Sequence, residues 1–172
     1  MMQNTIERSI LTVMRALLTF AVLVALALPA ASSARHQGAS DGTLSVRDGR
    51  GTITISGRGG VIGSYARGSV TISDPIEGDG TGPIVTGDDF PPVEKSDTTT
   101  TWRGTKVRFR IIGGSFRIVV RGRGINLSLV GTGKVTLDGA GTGDDGSYSV
   151  NGGEYLPMPE FSLPFPLSST SP

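Results

Sequence analysis

Between Lys106 and Asp138 the chain alternates apolar and polar side chains in four short runs, and glycine stands at each break between them. Val107, Phe109 and Ile111 alternate with Arg108 and Arg110. Phe116, Ile118 and Val120 alternate with Arg117 and Val119. Ile125, Leu127 and Leu129 form a third set, and Val135 and Leu137 a fourth. A period of two puts every second side chain on one face of a sheet, and helices do not have it. Gly113-Gly114, Gly122-Arg123-Gly124 and Gly131-Thr132-Gly133 separate the runs, and glycine supplies the positive φ of tight hairpins. The pattern predicts a four-stranded antiparallel meander.

A weaker copy precedes it. Leu44, Val46, Gly51, Ile53 and Ile55 match Val107, Phe109, Gly114, Phe116 and Ile118, each pair 63 positions apart. Gly57, Gly59, Val70 and Ile72 match Gly122, Gly124, Val135 and Leu137 at a spacing of 65. Two such units predict an all-β domain: an eight-stranded antiparallel sandwich or small barrel, nine-stranded if Tyr148–Val150 also pairs. A short β-solenoid is the alternative. The repeats are placed at 44–74 and 106–138 within a domain of 44–150.

The flanks carry other signals. Residues 1–34 read as a secretory signal peptide: Arg8 and Arg15 lead an apolar run from Ala16 to Leu28, and Ala30–Ala34 supplies the small residues of a cleavage site. The run is short for a membrane span, so contact with a membrane is expected only through an uncleaved leader. A polar stub follows at 35–43. Removing Arg8, Arg15 and Glu7 leaves 14 basic and 14 acidic residues, and no global charge that would draw the chain to nucleic acid. The C-terminal segment 151–172 carries proline at 157, 159, 164 and 166 between Leu156, Met158, Phe161, Leu163, Phe165 and Leu167. Proline bars it from a central strand, so it reads as an extended strap over a sheet edge, with a partner-docking tail as the competing reading.

Charge is unevenly spread. The acidic half of the linker 75–105, with its preceding Asp74, holds Glu77, Asp79, Asp88, Asp89, Glu94 and Asp97 against Lys95 alone. Arg103 to Arg123 holds seven basic residues and no acid. One reading folds the acidic linker back over the basic sheet face. The other leaves Arg108, Arg110 and Arg117, with the sole tryptophan Trp102, as a binding face for an anionic envelope polymer or a glycan.

Catalytic chemistry finds little purchase. The chain has no cysteine, which excludes disulfides, thiolate catalysis and cysteine-ligated metals. His36 is the only histidine and lies on the predicted stub, a poor place for a general base. Gly141-Thr142-Gly143-Asp144-Asp145-Gly146 has a dinucleotide-type glycine spacing, but no helix pattern follows and its two aspartates would repel a pyrophosphate. Asp138, Asp144 and Asp145 are candidate calcium ligands, although no cofactor is required. Two loop carboxylates acting in glycoside hydrolysis form the enzymatic alternative. The expectation is therefore a secreted or envelope-associated, non-enzymatic β-domain with a structural or binding role.

Overall fold

A computed structural model describes residues 40–74, 76, 78–88 and 92–170. The predicted leader, most of the stub including His36, and Glu77 and Asp89 of the linker lie outside these residues. The described chain is all-β and antiparallel, without helix: β1 (Gly42–Ser73), β2 (Gly80–Asp88), β3 (Pro92–Lys95), β4 (Thr99–Gly139), β5 (Ser147–Val150), β6 (Leu156–Pro157) and β7 (Leu163–Leu167).

The two long strands pair with each other twice. Ile118 of β4 lies between Ile55 and Ile72 of β1, and Ile55 lies between Ile118 and Val135 of β4. Ile55 and Ile72 run in the same direction on either side of Ile118, seventeen residues apart along one continuously paired strand. A strand can return beside itself without reversing only by completing a turn. The β1–β4 ribbon is therefore wound into a coil of about seventeen residues per turn. The coil does not close into a barrel: its strand order ends at β2 on one side and β6 on the other.

This corrects the expected meander. A strand residue has two flanks, and in the four runs both are taken by other segments. Phe109 has Gly63 and Val85, Leu127 has Val46 and Gly63, and Val135 has Ile55 and Phe165. No flank remains for the neighbouring run. Alternation reports which face is buried and is silent about the partner, which explains the error.

The glycines between runs are corners and not hairpin turns. Gly68 faces Gly122 and Gly59 faces Gly131 across the ribbon. A Cβ on Gly68 would sit 2.0 Å from the Arg121 carbonyl oxygen, and one on Gly131, at φ +155°, would sit 2.0 Å from that of Arg58. Where the ribbon bends, the two backbones approach too closely for any side chain.

All inward positions join one core. Leu44, Ile53, Val70, Val107, Ile118, Val120, Ile125, Val135 and Leu137 have no measurable exposure. Phe109 lies over Gly63, where a Cβ would meet its ring at 2.3 Å. Tyr65 is buried with them, and its hydroxyl donates to the Trp102 carbonyl at 3.2 Å. Burial pushes that hydroxyl up to about 12, against a smaller opposing effect of a backbone hydrogen bond at Val70.

The flanking segments take the edges. β2 and β3, both from the acidic linker, pair beside β4, β5 pairs with β1, and β7 pairs with Gly133–Leu137 of β4. Proline donates no hydrogen bond, so the β7 ladder depends on the N–H groups of Leu163, Phe165 and Leu167. Asn151 fastens this end to the first strand: its side-chain oxygen accepts from the Thr43 N–H at 2.9 Å and its amide donates to the Ser168 carbonyl at 2.9 Å.

Candidate ligand groove

Winding sorts the outward side chains into cross-strand rows. One row runs Ser45–Ser128–Ile62–Arg110–Ile84, each residue directly opposite the next. The row beside it runs Asn126–Ser64–Arg108–Thr86. Arg47 extends that row on the far side of Asn126, one residue beyond the Val46–Leu127 pair. Alternation requires this placement: Phe109, Leu127 and Val46 point inward, so their immediate neighbours point out.

These rows floor an open groove of about 710 Å³. Its polar lining is Arg47, Arg108, Arg110, Asn126 and the hydroxyls of Ser45, Ser64, Ser128 and Thr86. Ile62 and Ile84 give it apolar patches and are 53% and 41% exposed. Tyr155 stands at the Arg47 end, and the Arg47 guanidinium lies 3.9 Å from the centre of its ring. This cation–π contact holds Arg47 in place at the rim. Asn126 is also fixed: its side-chain oxygen accepts from the Asp48 N–H at 3.2 Å and its amide donates to the Gly124 carbonyl at 3.3 Å. Among the described residues no aspartate or glutamate lines the groove.

Of the residues singled out from sequence, Arg108 and Arg110 meet here, both exposed. Arg117 does not join them. It lies between Ser56 and Ser73, in a row with Lys134 and Thr99. Nine residues separate it from Arg108, about half of a seventeen-residue turn, so the coil carries it to another side. Trp102 is also elsewhere: it pairs with Val70 and packs against the core. Arg47 escaped the sequence reading because it is distant in the chain from the basic segment; its outward phase, shared with Ser45, was its one available signal. Tyr155, a candidate aromatic surface for a glycan from the sequence, does lie at the groove, without Trp102.

The acidic linker lies edge to edge with the basic strand, with Thr86 opposite Arg108 and Ile84 opposite Arg110, and leaves both arginines exposed. Asp79 is occupied locally, accepting the Ser115 N–H at 2.8 Å.

The candidate calcium ligands do not converge. Among the described residues no three carboxylate or imidazole side chains gather to hold a metal. Asp145 is buried and turned onto its own loop, accepting hydrogen bonds from the Thr142 hydroxyl and, at 3.1 Å, from the Thr142 N–H. The Thr142 hydroxyl is the main cause holding its carboxyl below the usual range, with Arg50 adding a smaller attraction. Asp144 is exposed and Asp138 half-buried in β4. Asp145 thus organises the 140–146 turn.

Comparison with protein-family models, curated proteins and solved structures gives no match.

Proposed function

We propose that the protein is a secreted or cell-envelope β-domain, without catalytic activity of its own, that binds an anionic polymer in this groove. One observation carries the reading: three arginines line an open groove in which, among the described residues, no carboxylate takes part. Arginine forms paired, charge-assisted hydrogen bonds with carboxylate and related anions. An open groove accommodates a chain that continues past both ends.

The hydrolytic alternative draws no support from this site, because a two-carboxylate mechanism needs carboxyl groups flanking the bound sugar. We also read the winding as two layers of four segments, an eight-segment sandwich. Gly51, Gly59 and Gly68, and likewise Gly114, Gly122 and Gly131, recur at eight- or nine-residue intervals, which places two corners in each turn.

The test is retention on immobilised polygalacturonate at low and moderate salt, with neutral dextran as control. Wild-type protein is expected to be retained and released by salt, and the Arg108→Glu/Arg110→Glu variant, folded by circular dichroism, to pass through. Equal retention of the two proteins contradicts the reading.

A further inference from the structure

Resting on that reading, we infer that the groove takes a linear acidic polysaccharide laid across the strands, about one sugar residue to each strand, and does not act as a general sink for negative charge.

The rows supply the reason. Neighbouring strands are about 4.8 Å apart, close to the length of one pyranose residue in an extended chain. Crossing the groove along the Arg108 row, a ligand meets Thr86, Arg108, Ser64, Asn126 and then Arg47, one polar group per strand segment. Along the parallel row it meets Ile84, Arg110, Ile62, Ser128 and Ser45. The two rows are about 7 Å apart, so a single sugar chain touches both.

The composition fits a sugar better than a bare polyanion. A polymer held by charge alone needs cations along its path, but here the cations stand apart. Arg108 and Arg110 are next-but-one neighbours on one strand, and Arg47 is three strand spacings from Arg108, about 14 Å along the row. Neutral hydroxyls and the fixed amide of Asn126 fill the interval, matching the hydroxyl groups of intervening sugars. Ile62 and Ile84 offer surface to the C–H faces of the rings. Arg47, held over Tyr155, then receives a carboxylate about three residues further along the chain.

Two consequences follow for length. Binding grows with each sugar until the row is covered, at about four or five residues. Arg47 contributes only to oligomers long enough to reach it.

The experiment is calorimetric titration of the full chain with galacturonate oligomers of increasing length and with poly-glutamate of equal charge. Affinity is expected to rise stepwise and then level off. Arg47→Ala should weaken the longest oligomers roughly tenfold, as loss of one charge-assisted contact predicts, and leave the dimer unchanged. Arg47→Lys should restore part of the loss and guards against a merely structural effect. Poly-glutamate binding as tightly as the oligomers, or affinity indifferent to oligomer length, would overturn the inference while leaving the anionic-polymer reading intact. Failure of both ligands to bind would remove that reading as well.

Discussion

Two outer rows of the same ribbon, built from the same alternation, end up with different characters. One carries Arg108, Ser64 and Asn126; the other carries Arg117 between Ser56 and Ser73, with Lys134 beyond. Both present cations among small hydroxyl residues. Their difference lies in what borders them. The first is bordered by β2 on one side and by Tyr155 at the Arg47 end, and lines an open groove of about 710 Å³. The second ends on one side at the proline-rich β7, and on the other at Thr99, whose hydroxyl bonds that of Ser73 at 2.8 Å. A basic run in sequence thus becomes two separate surfaces with different edge segments beside them.

Both rows rest on the shared core, so the largest effect comes from beneath them. Ile118 has no exposure and lies between Ile55 and Ile72. Ile118→Ala is expected to cost about 2–5 kcal/mol, read from urea melts. A loss of a few tenths of a kcal/mol would show that the two rows do not share that support.

The rows themselves are separated by single charge reversals. Arg108→Glu should weaken polygalacturonate binding at least tenfold, about 1.4 kcal/mol, and Arg117→Glu by less than about twofold. Equal effects, measured by titration, would merge the two surfaces again.

Tyr65 and Trp102 join the segments at the core, and Tyr65→Phe probes that join. The lost hydrogen bond should cost about 0.5–1.5 kcal/mol at neutral pH. Alkali gives a second reading. The unfolded phenol ionises near 10.0, while the buried one is pushed up to about 12. Folding therefore favours the protonated form, and its contribution is complete below pH 10 and lost as pH rises through 12. Wild-type stability should fall over that window more steeply than that of the variant; parallel curves would place Tyr65 in water.

The smallest change in stability is expected at β7. Pro164→Ala/Pro166→Ala restores donors on the outer side of the edge strand. Melting should shift little, but light scattering on prolonged heating should rise sooner. Unchanged scattering would mean that these prolines do not blunt the edge.

Much of the inward half of this structure was legible beforehand. Leu44 and Val107, Val46 and Phe109, Ile55 and Ile118, and Ile72 and Leu137 were paired as equivalent, and all are buried. A wound amphipathic ribbon demands that of every inward position, whether or not its halves share an origin. Alternation also marked the outward phase of Arg108 and Arg110. It could not supply the partners, because one-step periodicity is satisfied equally by a hairpin to the next run and by pairing with a distant strand. Glycine misled for a related reason: a corner such as Gly59 opposite Gly131 and a tight turn both need a residue without a side chain. The groove was illegible because its lining comes from five segments of β1, β2 and β4 whose order depends on those partners, with Tyr155 added from a segment outside them.

The wound pairing underlies every assignment of a side chain to a row, and Val119 reports on it directly. In solution, nuclear Overhauser contacts from the Val119 backbone should reach both Thr54 and Thr71, its partners on either side. Contacts instead to the next run of β4, around Ile125 to Leu129, would restore the meander and return Arg108, Arg110 and Arg117 to a single face.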